Sequence, residues 1–147
     1  KIGARLGGAS VEDADRLYDF GMHIGVAFQL KDDLLDVYGN AKVFGKNIGG
    51  DILCNKKTYM LIKALEHANA DQHNQLNSWI NAETFQPAEK IAAVTELYDR
   101  IGVKAVCENK ILEYSNRAME SLAAVSIAEE KKEELKKIIE NLIHREV

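Results

Sequence analysis

The sequence predicts an all-α fold. Val, Ile and Thr do not alternate with polar residues over any long stretch, whereas apolar residues recur at helical spacing along most of the 147 residues. The chain has one proline, Pro87, and its glycines are concentrated in the first third, so most of it lacks helix breakers. A chain of this length fits one domain or a part of one, and we expect residues 1–147 to form a single all-α region.

The first long helix is expected to begin after Ser10 and to end near Val37 or Tyr38. Ser10 is a favourable N-cap residue. Glu12 and Asp13 place negative charge in the first turn, where the helix dipole stabilises it. Residues 39–50, next along the chain, are rich in glycine and predict a flexible loop.

The later helices are predicted from capping residues, proline and glycine. Asp51 is expected to cap the second helix, and Pro87 suits the first turn of the fourth, which ends near Gly102. The last helix has a single apolar stripe on a charged background, which is typical of a surface helix. The expected ranges are about 51–66, 71–81, 87–102, 103–125 and 128–147.

Composition argues against several classes of function. The net charge is −4, so nothing in the sequence favours nucleic acid as a partner. Apolar stretches are interrupted well before the ~20 residues that a membrane span needs, and we expect no transmembrane segment. Cys54 and Cys107 are far apart without CxxC spacing. They are predicted to be free thiols in a reducing compartment, which favours a cytoplasmic location.

The end of the first long helix combines apolar residues with clustered acids. Between Phe20 and Leu30 the only polar side chains are His23 and Gln29, so we expect this part of the helix to be buried. In steps of three or four residues, one face presents small or aromatic residues and then two carboxylates: Ala14, Tyr18, Gly21, Gly25, Phe28, Asp32 and Asp36. Asp32 and Asp36 lie about 40° apart around the helix, and Asp33 lies about 100° from Asp32.

Clustered carboxylates on a buried helix need compensation, because each ion loses hydration at a cost of several kcal/mol. Protonation with a raised pKa is one response, and a bound cation is the other. Hard oxygen ligands one turn apart suit Mg²⁺, which usually takes one or two carboxylates together with phosphates. A solvated acidic face remains the alternative, although negative charge near a helix C-terminus opposes the helix dipole.

Lysines follow the acidic cluster. Lys46 stands between Gly45 and Gly49, and Lys56 and Lys57 come about ten residues later. Carboxylates, a metal and converging lysines together form a diphosphate site. Lys46 taken singly also fits a solvated loop lysine. Neither GxxxxGK[ST] nor a strand-linked dinucleotide fingerprint is present.

Three linked motifs, FQLKDDLLDVYG, FGKNIGGDI and NKKTY, resemble the second aspartate-rich region of the trans-isoprenyl (polyprenyl) diphosphate synthases and the segment after it. The pattern of that family is FQxxDDxxD, then GKxxGxD, then a lysine in a similar context. The matching residues are Phe28, Gln29, Asp32, Asp33, Asp36, Gly45, Lys46, Gly49, Asp51, Asn55 and Lys56. The resemblance implies the C-terminal part of an isoprenoid-synthase-type helical bundle.

The resemblance also implies a reaction. Such enzymes condense an allylic diphosphate head-to-tail with isopentenyl diphosphate and use Mg²⁺ between two aspartate-rich motifs. On this analogy the metal ligands would be Asp32, Asp33 and Asp36, which with Lys46 form the expected catalytic set. The residues expected to contact substrate, mainly its diphosphate, would be Lys46, Lys56, Gln29 and Phe28. Gly21 and Gly25 would leave space for a prenyl chain.

The first aspartate-rich motif, with its paired arginines, is absent between Lys1 and Asp32. The opening KIGARLGG is typical of a helix end. We therefore expect the chain to be the C-terminal half of a synthase, inactive by itself, from a full-length protein that is a homodimer. The alternatives are a non-catalytic regulatory subunit and a helical interaction module that uses its last helix as the contact surface.

Overall fold

The computed structural model describes residues 1–39 and 48–143, and within these ranges the regular structure is helical without strands. The elements, in chain order, are α1 (Ile2–Leu6), α2 (Val11–Tyr38), α3 (Gly50–Leu53), α4 (Tyr59–His67), α5 (Ala70–Asn81), α6 (Pro87–Ile101), α7 (Val103–Ala123), a 3₁₀ turn (Glu129–Lys131) and α8 (Glu133–Ile143). The all-α prediction is confirmed.

The predicted long helix is α2, and its start has the expected cap. The hydroxyl of Ser10 accepts a hydrogen bond from the amide of Asp13 at 3.0 Å, which satisfies one of the free N–H groups of the first turn. At the other end the amide of Gly39 donates to the carbonyl of Leu35 at 2.8 Å. The expected end near Tyr38 is therefore correct.

The prediction of one helix over 51–66 is wrong. Gly49, at φ 87°, precedes α3, which is only four residues long. Asn55 has φ 52°, a left-handed conformation that a helix cannot continue through. Thr58 then starts α4, because its side chain accepts a hydrogen bond from the amide of Leu61 at 3.2 Å. The predicted single helix is thus two helices separated by a turn, the second with its own N-cap.

The remaining predicted helices lie close to their expected ranges. Asn69 begins α5 with a capping box to Gln72. Pro87 occupies the first turn of α6, and Gly102 ends it at φ 83°. The last helix begins at Glu133, five residues later than expected, because a 3₁₀ turn precedes it. The part of that expectation beyond residue 143 lies outside the described residues.

The chain divides into two compact units, each described by itself. One contains Lys1–Gln29 and the segment that starts at Lys110, and the other contains Leu30–Asn109. In the first unit α2, α7 and α8 share a core: Phe20, Ala118, Leu122 and Ile139, with Leu17, Ile24 and Leu135 against it. In the second, α6 contacts α3, α4 and α5. That residues 1–147 form a single all-α region stays a prediction.

The expectation that α2 is buried between Phe20 and Leu30 is wrong for one face, which continues to Tyr18. Phe20, Ala27 and Leu30 are buried, but the side chains of Tyr18, Met22 and Phe28 are about half exposed: 50%, 51% and 49%. Apart from the adjacent residues and the nearby backbone of the helix itself, none of the described residues lies within 4 Å of a Cβ placed on Gly21 or Gly25 of the same helix. None of the helices within the described ranges is both long and apolar enough to span a membrane.

Candidate diphosphate and metal site

The acidic motif forms the last two turns of α2, and its three carboxylates differ in burial. Asp33 is buried at 7% exposure, whereas Asp32 and Asp36 are half-buried. Leu34 and Leu35, on the core side of the same turns, are buried and fix the rotation of the helix. The sequence-predicted separation of Asp32 and Asp33 around the helix thus becomes a difference in environment.

Lys56 joins two of the carboxylates in this region. Its Nζ lies 2.9 Å from Oδ1 of Asp33 and 2.8 Å from Oδ2 of Asp51. These two hydrogen bonds, that to Asp51 first, raise the pKa of Lys56, so the side chain is a cation at neutral pH. Lys56 and Lys57 are both exposed, and the ion pairs just described to Asp33 and Asp51 are those of Lys56. Of these two neighbouring lysines, Lys56 is therefore the one that brings positive charge to Asp33.

Asp36 ties the end of α2 to the start of α3. Its Oδ2 accepts a hydrogen bond from the amide of Asp51 at 2.9 Å, and its carbonyl accepts one from the amide of Gly49 at 2.6 Å. Gly49 is at φ 87°, and a Cβ there would lie 2.7 Å from the side chain of Ile91. Glycine at this motif position is therefore required both by the backbone conformation and by the lack of space.

The pKa of the Asp36 carboxyl is raised, and burial is the largest cause. The carboxylate of Asp51 raises it further, while the hydrogen bond from the Asp51 amide and the charge of Lys56 oppose the shift. Additional positive charge nearby would stabilise the ionised form of a carboxyl in this environment. Its oxygens, with those of Asp32 one turn away, are the donor type that Mg²⁺ prefers.

The structure thus brings together the predicted residues Asp33 and Lys56, with Asp36 held beside Asp51. Phe28 and Gln29 are exposed on α2. Lys46 and Gly45 lie outside the described residues. Within the described ranges no three His, Cys, Asp or Glu side chains are grouped to hold a metal by themselves. Mg²⁺ with one or two carboxylates, water and phosphate oxygens does not require such a group, so the donor chemistry fits.

Sequence reasoning gave Asp51 only the role of a helix cap, although it is part of the GKxxGxD match. The structure places it in the first turn of α3, where its amide reaches Asp36 and its carboxylate reaches Lys56. Asn55 was matched without a role, and Lys90, which contacts Asn55, was missed. The motif match could have drawn attention to Asp51 and Asn55, but nothing in the sequence marks Lys90.

Comparisons of the sequence and of the structure with known proteins all find prenyl diphosphate synthases. A short chain isoprenyl diphosphate synthase of Methanothermobacter thermautotrophicus is 32% identical over 146 residues, which are 99% of this chain and 44% of the relative. A crystal structure of geranylgeranyl pyrophosphate synthase matches with a TM-score of 0.89 at 32% identity, covering 99% of this chain and 46% of the other. The geranylgeranyl pyrophosphate synthase of Corynebacterium glutamicum, complexed with isoprenyl diphosphate and magnesium, matches at 0.86 and 31%, covering 98% and 41%.

The chain spans less than half the length of each of these proteins. The TM-scores confirm the predicted fold class, the C-terminal part of an isoprenoid-synthase-type bundle. The model of the family described as polyprenyl synthetase matches residues 1–98 of the 147. That range includes every motif residue that carried the resemblance, and the chain belongs to the polyprenyl synthetase family.

Proposed function

We propose that this chain supplies the second aspartate-rich motif of a prenyl diphosphate synthase, which condenses an allylic diphosphate with isopentenyl diphosphate. The observation that carries the proposal is the cluster at the end of α2, where Lys56 bridges Asp33 and Asp51 while Asp36 holds the amide of Asp51. An anionic and a cationic group held together at a family motif suit the binding of a metal–diphosphate pair. The magnesium and isoprenyl diphosphate of the C. glutamicum structure support it.

In this proposal Asp32 and Asp36, one turn apart, would hold Mg²⁺, and Asp33 would act directly or through water. Magnesium bound there would supply positive charge that stabilises the diphosphate as a leaving group. The part of the chain itself is electrostatic: Lys56, together with Lys46, contacts the departing diphosphate. The double bond of isopentenyl diphosphate then attacks the allylic carbon, and the released diphosphate takes the proton that leaves as the product forms.

Pyrophosphate is the simplest probe of this site. We expect the melting temperature of the chain to rise when Mg²⁺ and pyrophosphate are added together, because both bind only the folded state. The rise should be lost in Asp32→Ala. Asp19→Ala is the matched control, since Asp19 is an exposed aspartate on the same helix, and it should retain the rise. No rise in the parent chain, or an equal rise in Asp32→Ala, would contradict the proposal.

The 147 residues by themselves are proposed to form no product, since they contain one aspartate-rich motif and the mechanism uses two. Incubation with Mg²⁺, isopentenyl diphosphate and an allylic diphosphate, followed by product extraction, tests this separately from binding. Product would refute the inactivity and leave the binding proposal in place. A regulatory subunit or an interaction module would instead neither bind Mg²⁺–pyrophosphate nor depend on Asp32. A homodimer of the full protein and a cytoplasmic location remain predictions.

A further inference from the structure

Lys90 of α6 is a buried cation whose partners are not acids. It is 1% exposed, and the ion pairs among the described residues do not include it. Its Nζ donates to Oδ1 of Asn55 at 2.8 Å and lies 4.2 Å from the centre of the Phe85 ring. Burying an ammonium group is costly unless hydrogen bonds and aromatic faces replace its hydration. The side-chain oxygen of Asn55 is therefore the hydrogen-bond acceptor that compensates the burial of Lys90.

Asn55 uses both ends of its side-chain amide. While Oδ1 accepts from Lys90, Nδ2 donates to the carbonyl of Ile80 at 3.0 Å. Its backbone is left-handed, at φ 52°, which asparagine tolerates better than most residues but which still needs support. The two hydrogen bonds connect the turn between α3 and α4 to residues of α6 and α5. They fix the backbone where helical geometry is interrupted.

Lys56 is the next residue, so its direction depends on this turn. Its amide donates to the carbonyl of Asp51 at 2.9 Å, and its Nζ reaches Asp33 and Asp51. A lysine side chain has many rotamers, and it holds two carboxylates only if its Cα is fixed. Lys90, Asn55, Lys56 and Asp51 also line one small cavity, with room for about one water molecule.

We infer that Lys90 is a positioning residue for Lys56 and acts through Asn55. The buried ammonium holds the Asn55 amide, the amide holds the left-handed turn, and the turn directs Lys56 to Asp33 and Asp51. Lys90 does not touch substrate in this arrangement. The inference rests on the proposed function only where Lys56 is taken to contact diphosphate.

Reductive methylation of lysines, read by mass spectrometry, tests the positioning without any ligand. The Nζ of Lys56 is held in hydrogen bonds to Asp33 and Asp51, which must break before the amine can attack the reagent, so Lys56 should react slowly in the parent chain. In Lys90→Met the Lys56 rate should rise about threefold or more. Lys57, which is exposed, serves as the internal reference and should not change.

Lys132→Met is the matched control for loss of a buried lysine. The side chain of Lys132 is 3% exposed, in the other unit, and bonds the carbonyl of Ala123 and the carboxylate of Glu129. It should leave the Lys56 rate unchanged. Asn55→Gly provides a second route, since glycine adopts the left-handed conformation without strain but lacks the amide that fixes the turn to Ile80 and Lys90. Asn55→Gly should raise the methylation rate of Lys56 as much as Lys90→Met does. The variant that carries both substitutions should show no further increase. Unchanged Lys56 rates in both single variants would overturn the inference.

Binding of pyrophosphate with Mg²⁺, by titration calorimetry, is the functional readout. Lys90→Met should weaken it about threefold or more, while Lys132→Met binds as the parent does. Equal affinity of Lys90→Met and the parent would refute the link to diphosphate. If the parent itself does not bind, the proposed function fails, whereas the methylation rates still decide whether Lys90 positions Lys56.

Discussion

Asp13 shows how one side chain of the first unit connects distant segments. Its Oδ1 accepts a hydrogen bond from the amide of Ser126 at 2.9 Å and another from Arg16 at 3.1 Å. Ser126 lies just beyond the end of α7, so this single carboxylate joins the start of α2 to the end of another helix. The bond from the Ser126 amide is the largest cause that holds the pKa of Asp13 below its ordinary value.

The charge of Asp13 predicts a pH dependence of stability. Because its pKa is lower in the folded than in the unfolded chain, the ionised form stabilises the fold above the usual pKa of about 3.9. This stabilisation is lost as the pH falls through the lower, folded value. We expect Asp13→Asn to reduce the urea midpoint at pH 7, with a difference that shrinks towards pH 3. A difference that stays constant with pH would contradict the charge argument, and Asp19→Asn is the control.

At the scale of elements, the junction between α6 and α7 depends on one backbone conformation. Gly102 has φ 83°, and its amide donates to the carbonyls of Tyr98 at 2.9 Å and Asp99 at 3.1 Å. Val103 begins α7 immediately afterwards. A Cβ on Gly102 would meet none of the described residues within 4 Å, so space does not explain the glycine. Its left-handed backbone does, because an L side chain is disfavoured there.

Gly102→Ala should therefore destabilise the chain by about 1 kcal/mol, the cost of the left-handed conformation alone. Gly21→Ala is the matched comparison, since a Cβ there also has space among the described residues but lies inside the helix α2. There alanine should stabilise by up to about 1 kcal/mol, through helix propensity. Urea unfolding measures both. If Gly102→Ala and Gly21→Ala changed the free energy of unfolding in the same direction, backbone conformation would not explain the effect of alanine at these two positions.

At the scale of the whole molecule, the reactivity of the two cysteines shows whether the unit of Leu30–Asn109 is tightly packed. Cys54 is exposed, whereas Cys107 is fully buried and burial raises the pKa of its thiol to about 12. Since the thiolate is the reactive form, Cys107 is protected both by access and by protonation. Its reaction requires this unit to open.

We expect a thiol reagent at pH 8 to label Cys54 of the folded chain rapidly and Cys107 only when denaturant is present. In Cys54→Ser the fast phase should disappear. The remaining rate should then rise with urea as the core opens. Rapid labelling of Cys54→Ser in the absence of denaturant would show that this unit is not packed as described.

Local signals in the sequence were sufficient for the fold class and for several helix ends. The cap of Ser10, the proline at 87 and the glycine at 102 act on their own turns, so α2 and α6 begin and end close to where they were expected. The spacing of Asp32, Asp33 and Asp36 likewise results from helix geometry. The matched motifs then indicated the family, which the comparison confirmed.

Only the tertiary structure decided which of these residues meet. It interrupted the expected helix at Asn55, paired Lys56 with Asp33 and Asp51, and buried Lys90 against Asn55. It also left one face of α2 exposed, although its composition predicted burial. These outcomes depend on contacts between residues far apart in the chain. The sequence by itself determined turns and periodicity, because those depend on neighbours, whereas burial and charge pairing depend on which elements pack together.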